Sequence, residues 1–476
     1  MNIILKSFDG PYCKDFIEHA LKDFDIGTCI SVIEDQIHQP DVGASKNEWL
    51  HAPNVREGKY DVNWAQITPI DEELIENMRG CEAVFMNMIS RYAHSEEIPY
   101  EERKRRYFAH LQYWNHILAT ERIDLLLLNH VPHMAWDYVM YELCRHRGVR
   151  TLFLERCDII NAFIMPSDWE TAGKELLEKY QILYAQFEGE EHIPLSRQYE
   201  LFYEDQTVRN VPPAGALLNP QLLQKNFLFR WCKKALKVFF TRPYKFFRSV
   251  LSPVFWIRKW NQHATLRYYD AVSEDPHLNT KYIYLPLHVQ PEASTCPMSG
   301  AYTDQERMVE LIAWHLPPDM QLYVKEHPSQ GELFRSVEWY RRLQNIPAVK
   351  LIAKHVDSYQ LMNNAIALAT GTGSAAYEAL FRGKPVLLFG HRFFQYAPGV
   401  FRIRTTADCK AAVQKVCEGD CGPSDREMRL FLKAIEEIAC ETYLGPLSER
   451  LSYALEEKIA IMGDYIAKKI RELSLL

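Results

Sequence analysis

The feature that most constrains the fold is a strand, turn, helix, strand pattern between residues 365 and 390. An apolar run ends at Thr370 and is followed by the turn Gly371-Thr372-Gly373-Ser374, a short helical stretch and a second apolar run. Two strands joined through a helix indicate a parallel α/β sheet with a right-handed crossover. Glycine and hydroxyl side chains then lie where free helix N–H groups point outward, which suits a phosphate. A capped helix start without ligand is the structural alternative.

Two further apolar runs end in polar side chains. The first closes with Gln290 and Glu292, and the second with Lys325 and His327. Because open α/β sheets bind ligands at the carboxyl ends of their strands, we expect these side chains at the same edge as the Gly/Thr turn. Lys325 and His327 suit a phosphate, and Glu292 suits a ribose hydroxyl or a cytosine amine. A turn cap and a rigid His-Pro turn are the structural alternatives.

Gln-Pro-Glu at 290–292, Lys-Glu-His-Pro at 325–328 and Thr-Gly-Thr-Gly-Ser at 370–374 together resemble a known family. The region from about 281 to 390 is similar to bacterial capsule and surface polysaccharide biosynthesis proteins, which include the retaining Kdo transferases. The resemblance implies a GT-B-like α/β fold of two Rossmann-like domains facing a central cleft. It also implies a CMP-sugar donor in the C-terminal domain, a His-Pro histidine at the donor phosphate, and no metal.

The same motifs also resemble bacterial sialyltransferases and CDP-glycerol phosphotransferases. A CDP-glycerol-type glycerophosphotransferase is therefore the alternative activity, and a non-catalytic polysaccharide-assembly protein is a further one. The predicted donor-binding residues are Gln290, Glu292, Lys325, His327, Thr370, Thr372, Gly373, Ser374 and Glu378. Glu378 lies one helical turn after Ser374 and could hold a ribose hydroxyl. No Asp-x-Asp motif or His/carboxylate cluster lies near the turn, so we predict no metal and no cofactor.

The N-terminal half alternates apolar runs with helical patterns and predicts a second parallel sheet. Expected strands lie at 1–7, 83–88, 124–128 and 150–154, and expected helices at 12–24, 100–121 and 136–148. Between a strand end and a helix lie His133 and Asp137, either of which could take a proton from an acceptor hydroxyl. Asp137 favouring its helix dipole is the structural alternative. Asp9 and Glu155 follow strand ends in the same way and are the second choices.

A basic and aromatic segment separates the two halves. Between Asp205 and Asp270 there are twelve Lys and Arg residues and no acidic residue, with Trp and Phe interleaved. This composition suits a segment lying on an anionic membrane surface. Packing of the aromatics on the second domain is equally consistent with the pattern, whereas nucleic acid is disfavoured because no nucleic-acid module is recognisable.

These patterns predict four segments. They are an N-terminal Rossmann-like acceptor domain (1–205), a basic aromatic linker (206–269), a nucleotide-sugar donor domain (270–425) and C-terminal helices (426–476). The sequence has no run of eighteen apolar residues and no recognisable leader, so a cytoplasmic location, with possible attachment to the inner membrane surface, is expected. The predicted function is metal-independent glycosyl transfer from a nucleotide-activated, CMP-type sugar to a polysaccharide or lipid-linked acceptor.

Overall fold

The computed structural model describes residues 1–10, 12–34, 37–92, 98–157, 162–208, 252–330, 335–442 and 453–474. The described chain contains two parallel sheets, each flanked by helices, and one short antiparallel hairpin. The basic aromatic segment lies mostly outside these residues, since 209–251 are not described. Within the described part, no helix combines the length and apolar character needed to cross a bilayer.

The first sheet has five strands in the order β3-β2-β1-β4-β5. Its strands are β1 (Ile3–Lys6), β2 (Thr28–Ile33), β3 (Lys46–His51), β4 (Leu125–Leu128) and β5 (Arg150–Phe153). Ile4 pairs in parallel register with Ile30 on one side and Leu126 on the other. The helices of this half are α1 (Cys13–Leu21), α2 (Ala52–Arg56), α3 (Glu72–Asn77), α4 (Arg79–Met88), α5 (Tyr100–Thr120) and α6 (Ala135–His146).

A two-stranded hairpin and two helices follow the first sheet. The hairpin pairs β6 (Glu155–Cys157) with β7 (Ala162–Ile164) in antiparallel register. The helices are α7 (Lys174–Gln186) and α8 (Arg197–Thr207), and α9 (Pro253–Val272) leads into the second sheet.

The second sheet has six strands in the order β10-β9-β8-β11-β12-β13, with every pairing parallel. Its strands are β8 (Tyr282–Pro286), β9 (Gln321–Lys325), β10 (Val349–Ile352), β11 (Ala367–Thr370), β12 (Val386–Leu388) and β13 (Val400–Arg402). Its helices are α10 (Glu306–His315), α11 (Val337–Gln344), α12 (Ser358–Asn364), α13 (Ser374–Leu380), α14 (Thr406–Glu418) and α15 (Asp425–Ile438). The final helix is α16 (Leu455–Ser474).

Strands β1 and β4 have every residue buried, as expected for parallel strands that are covered by helices on both faces. Alternate residues therefore enter two separate cores. Ile4 and Leu126 belong to one apolar cluster, whereas Leu5 and Leu127 belong to the cluster on the opposite face. Full burial of these short runs explains why an unbroken apolar pattern, and not an alternating one, marks them in the sequence.

The predicted strand at 83–88 is wrong, because these residues belong to α4. The buried residues of α4 are Cys81, Phe85 and Met88, which are spaced four and three positions apart. This spacing places them on one helix face, while Ala83 and Asn87 between them are exposed. A short apolar run does not distinguish a strand from one face of a helix, which is the cause of the error.

The two halves exchange elements across their boundary. Helices α7 and α8, which precede residue 208, pack against the second sheet through Leu176, Tyr199 and Phe202. Helix α16 returns to the first sheet, where Met462 and Ile466 join Phe16 and Ile17 of α1 in one core. Neither half is therefore a simple continuous stretch of sequence.

Each sheet has one point where the chain reverses its direction of strand addition. In the first sheet this point lies between β1 and β4, and in the second it lies between β8 and β11. At such a switch point the loops that leave neighbouring strands run to opposite faces and open a crevice at the carboxyl edge. The fold thus provides two crevices.

Candidate functional site

The crevice of the first sheet contains four polar side chains, which we name the N-terminal cluster: Lys6, His130, His133 and Asp137. Lys6 is the last residue of β1, and the other three follow β4. The Lys6 ammonium lies 2.8 Å from Asp137 Oδ2 and 2.7 Å from His130 Nε2. Lys6 and Asp137 are buried, with 1% and 0% of their side chains exposed, so the ion pair is shielded from water.

Both histidines of the cluster are held as neutral imidazoles. Nδ1 of His130 and Nδ1 of His133 each lie within hydrogen-bond distance of the Val131 carbonyl, at 3.0 and 2.8 Å. Burial and the nearby Lys6 charge lower the pKa of both imidazoles. A carbonyl can only accept, so both Nδ1 atoms carry hydrogen and both Nε2 atoms carry lone pairs.

The Nε2 atoms of the two histidines differ in whether they have a hydrogen-bond partner. Nε2 of His130 accepts from Lys6, whereas Nε2 of His133 has no hydrogen-bond partner among the described residues. His133 is therefore a neutral imidazole of fixed tautomer with an unused basic nitrogen. Asp137, the other predicted base, is occupied by Lys6 and closed to solvent.

The crevice of the second sheet is built around His288, which follows β8. Its Nε2 accepts from the Thr372 N–H at 3.2 Å and lies 2.9 Å from Thr370 Oγ1. Thr370 Oγ1 in turn accepts from the Gly373 N–H. Burial is the main cause that lowers the pKa of His288 to about 4, so the ring is neutral and can accept from both partners. The ring thereby fixes the conformation of the Gly/Thr turn.

This network corrects one part of the predicted phosphate seat. The N–H groups of Thr372 and Gly373 are used inside the turn, so they do not point outward to a ligand. The turn packs closely: a Cβ at Gly371 would lie 2.4 Å from Ser299 Oγ, which explains the need for glycine there. Ser374, the first residue of α13, is the exposed member of the turn.

His327 is exposed at the end of β9, and its ring has a defined orientation. Its Nδ1 accepts from the Ser329 N–H at 3.1 Å, which leaves Nε2 as the protonated nitrogen. Partial burial lowers the pKa of His327, and the Glu326 carboxylate raises it. The Nε2–H group is thus available as a donor to an anionic group.

Lys325 and Gln290 are placed differently from His327, although the sequence groups all three. The Lys325 ammonium donates to the Val356 carbonyl at 2.5 Å and to Ser358 Oγ at 2.9 Å, beside the start of α12. Gln290 is buried and receives a hydrogen bond from Arg335 Nη1 at 2.8 Å. Both side chains therefore support the walls of the crevice.

Glu292 and Glu378 differ in exposure. Glu292 is exposed, and its carbonyl oxygen receives Arg91 Nη2 from the first half of the chain at 2.7 Å. Glu378 is buried, accepts from Tyr359 OH at 2.7 Å, and has a pKa raised by burial. Of the two, Glu292 is the more accessible.

Arg91 joins the two crevices. Its guanidinium donates to the carbonyl oxygens of His133, Glu292 and Cys296. The 292–296 loop also receives Thr372 Oγ1 at the Ser294 carbonyl, 2.7 Å away. A continuous set of hydrogen bonds thus runs from the His133 loop to the Gly/Thr turn and ties the two crevices together.

The second-choice residues Asp9 and Glu155 have structural partners. Asp9 Oδ2 accepts from the Glu34 N–H at 2.5 Å. Glu155 Oε1 accepts from the Phe393 N–H at 3.0 Å and so links the hairpin to the second sheet. Neither carboxylate lies free beside the N-terminal cluster.

Positive charge surrounds the crevice of the second sheet. The charges of His327, Arg335 and Arg392 all contribute to the low pKa of His288. Arg335 is neutralised by Glu326 at 2.9 Å, whereas Arg392 lies 4.0 Å from Glu155. An anionic ligand in this crevice would gain from the Nε2–H group of His327 and from the field of Arg392.

Sequence reasoning did not assign roles to Lys6, Arg91, His288 or Arg392. Lys6 and His288 carry a weak signal, since each is a polar residue at the carboxyl end of an apolar run. Arg91 and Arg392 carry none, because their partners are backbone groups or residues far away in sequence.

Two parallel sheets, each flanked by helices and each with a switch point, define a GT-B-like α/β protein. Residues 253–443 match the model of a family described as capsule polysaccharide biosynthesis protein. The matched region contains the three motifs at 290–292, 325–328 and 370–374 that resemble this family. No curated protein matches the sequence.

Solved structures give distant likenesses. The KpsC beta Kdo 2,7 transferase of Thermosulfurimonas dismutans is 13% identical, with a TM-score of 0.32, covering 82% of this chain and 96% of that one. The KpsC beta Kdo 2,4 transferase of the same organism is 15% identical, with a TM-score of 0.27, covering 61% and 79%. Sucrose-phosphate synthase of Thermosynechococcus elongatus is 12% identical, with a TM-score of 0.29, covering 100% and 99%. These values are too low to support an argument about activity.

Proposed function

We propose that this protein is a glycosyltransferase of capsule or surface polysaccharide synthesis that uses a nucleotide-activated sugar of the CMP type. The observation that carries the proposal is the hydrogen-bonded link between two unlike crevices through Arg91. One holds the unused basic nitrogen of His133, and the other holds the exposed Nε2–H of His327 at the strand edge that also carries the Gly/Thr turn. These two groups suit proton acceptance on one side and anion binding on the other.

On the acceptor side, His133 is the general base. Its Nε2 takes the proton of an acceptor hydroxyl as the oxygen attacks the sugar carbon. The nearby Asp137 carboxylate stabilises the imidazolium that forms, since its charge raises the pKa of His133. Asp137 thus assists the base and is not itself the base.

On the donor side, His327 and Ser374 hold the donor phosphate. The bond between the anomeric carbon and the phosphate oxygen breaks, and negative charge accumulates on the leaving nucleotide. His327 Nε2–H and the charge of Arg392 stabilise this developing charge. Glu292 holds a ribose hydroxyl or the base at the exposed rim. Glu378 accepts a hydrogen bond from Tyr359 OH and is given no contact with the donor.

Calorimetric titration with CMP, CDP and UDP tests the donor class. We expect CMP or CDP to bind and UDP to bind at least about tenfold more weakly, a difference of about 1.4 kcal/mol. His327→Ala should weaken binding, whereas His355→Ala should not, because His355 is exposed and pairs with Asp275. Equal affinity for all three nucleotides would contradict the cytidine assignment.

Product analysis then distinguishes the activities. A CMP-sugar, a capsule-type oligosaccharide acceptor and the purified protein should yield a glycoside, and EDTA should leave the rate unchanged. A phosphodiester product from CDP-glycerol would instead identify a glycerophosphotransferase. Nucleotide binding without turnover of any donor would identify an assembly protein.

We further propose that the basic aromatic segment places the enzyme on an anionic membrane surface. The described end of this segment is α9, where Trp256, Ile257 and Trp260 are 53%, 59% and 78% exposed. Trp256 and Trp260 are four residues apart and so share one helix face. The segment has cations and no acidic residue between 206 and 269, which is complementary to anionic lipid.

Vesicle co-sedimentation tests this attachment. We expect binding to vesicles that contain phosphatidylglycerol, weaker binding as salt is raised, and none to phosphatidylcholine vesicles. The double substitution of Trp256 and Trp260 by Ala should release the protein, whereas Trp314→Ala should not, although Trp314 on α10 is 81% exposed. Binding that is equal for both lipids, or absent from both, would remove the claim.

A further inference from the structure

The N-terminal cluster has the composition of a cation site. His130, His133 and Asp137 each offer one ligand atom, and these atoms lie within 4.8 Å of one another. Two imidazoles and a carboxylate are ligands that divalent transition metals accept. The ammonium of Lys6 lies among them, 2.7 Å from His130 Nε2 and 2.8 Å from Asp137 Oδ2.

Lys6 makes more contacts than an ordinary ion pair requires. Asp137 alone would satisfy its charge, yet the ammonium also lies 2.7 Å from Nε2 and 3.2 Å from Nδ1 of His130. Lys6 is 1% exposed, and β1 is hydrogen-bonded to β2 and β4 on its two sides, so the ammonium position is fixed by the sheet. The charge therefore remains at the centre of the cluster.

We propose that Lys6 is a positioning residue whose ammonium serves as the built-in cation of a three-ligand site formed by His130, His133 and Asp137. The ammonium pairs with the Asp137 carboxylate and contacts the His130 imidazole. It thereby leaves Nε2 of His133 as the one unused basic nitrogen of the cluster. The positioning role of Lys6 rests on the proposed function, because it assumes that His133 acts on an acceptor hydroxyl. The presence of the Lys6 ammonium in the three-ligand site does not depend on that function.

Cobalt binding tests occupancy without reference to activity. We expect purified Lys6→Ala to bind one Co²⁺ per chain and to develop visible absorption from imidazole coordination. The parent protein should show no such absorption at the same concentrations. Adding His133→Ala to Lys6→Ala should weaken cobalt binding at least tenfold. Lys46→Ala is the matched control, because Lys46 pairs with Glu121 outside the cluster, and it should gain no cobalt.

Turnover tests the positioning role. Lys6→Met should lower kcat by roughly 10- to 100-fold, the usual range for a group that orients a site, while CMP affinity is unchanged. Methylammonium should restore part of the turnover of Lys6→Ala, and tetramethylammonium, which cannot donate, should not. Rescue by a donor cation is not expected if Lys6 only supports the fold.

The double variant Lys6→Met with Asp137→Asn guards against a folding failure, because it removes both charges together. It should fold and should lose turnover as Lys6→Met does. Wild-type turnover in this folded variant would overturn the proposal, as would equal cobalt affinity of Lys6→Ala and the parent protein. If no donor is turned over by the parent protein, the proposed function fails while the cobalt titration still decides the role of Lys6.

Discussion

The two crevices of the cleft are built by opposite means. In the N-terminal cluster, full charges are buried and compensate one another, with Lys6 facing Asp137 at 2.8 Å. In the crevice of the second sheet, a neutral His288 and threonine hydroxyls shape the turn, the Arg335–Glu326 pair is buried in the wall, and His327 is exposed at the strand end. The buried charges of the first crevice fix protonation states, whereas the neutral turn of the second leaves the exposed His327 available to an anionic ligand. We therefore propose proton transfer in the first crevice and nucleotide binding in the second.

The largest effect is expected at the unused nitrogen of His133. His133→Gln should lower kcat by about 10²- to 10⁴-fold, the usual contribution of a general base, while CMP affinity stays at the parental value. Calorimetry and initial rates measure the two quantities. If His133→Gln lowers both nucleotide affinity and turnover, proton transfer and nucleotide binding are not separated between the two crevices.

Asp137→Asn provides the matched comparison within the same cluster. It leaves the Lys6 ammonium buried without its partner, a defect that typically costs about 3–5 kcal/mol of folding free energy. We expect loss of stability in urea unfolding along with loss of turnover, whereas His133→Gln should unfold near the parental urea midpoint. Parental stability in Asp137→Asn would show that the buried pair is not tightly coupled.

In the second crevice, Lys325 and His327 have different expected roles: His327 contacts the ligand, and Lys325 supports the wall. His327→Ala should lower turnover by about a hundredfold or more through loss of one donor to the phosphate, with little effect on stability. Lys325→Met should instead destabilise the protein by about 1–3 kcal/mol, because the Val356 carbonyl and Ser358 lose their buried donor. If the two variants show the same changes in turnover and stability, Lys325 and His327 belong to one binding surface.

Some features of the two crevices could be predicted from the sequence, and others could not. The turn at 370–374 and the Lys-Glu-His-Pro run are local, so their strands, edge and fold class were predictable, and the fold class is confirmed. The use of the Thr372 and Gly373 N–H groups was not predictable, because it depends on His288, 84 residues before Thr372. The N-terminal cluster likewise brings Lys6 beside residues more than 120 positions later. Such contacts depend on the order of the strands in the sheet, and a local sequence pattern does not predict that order.

Arg91 tests whether the two crevices depend on each other. Arg91→Met removes the donor to the carbonyls of His133, Glu292 and Cys296, and we expect kcat/KM to fall by about tenfold, equivalent to about 1.4 kcal/mol. Arg103→Met is the control, since Arg103 donates to Ile98, Met86 and Ser90, which all lie in the first half. Equal loss of kcat/KM in both variants would show a general loss of stability and no specific link.

The smallest effect is expected from pH, and it arises from the neutral frame of the second crevice. The pKa of His288 is about 4 in the folded protein and about 6.5 in the unfolded chain. Between these values the unfolded chain binds more protons, so this contribution to stability is present above pH 6.5 and is lost as pH falls towards 4. From pH 7 to pH 5 the loss due to His288 is roughly 2 kcal/mol.

His288→Gln should remove this part of the pH dependence. The change in unfolding free energy between pH 7 and pH 5, measured by urea titration, should be about 2 kcal/mol smaller in the variant than in the parent protein. His110→Gln is the comparison in the first half, where His110 bonds to Tyr60 and burial lowers its pKa to about 3. Both substitutions should flatten the stability profile, but only His288→Gln should also weaken CMP binding, because His110 lies in a core and not at a crevice. An unchanged CMP affinity in His288→Gln would mean that the Gly/Thr turn holds its conformation without the histidine, and the neutral-frame account of the second crevice would then be wrong.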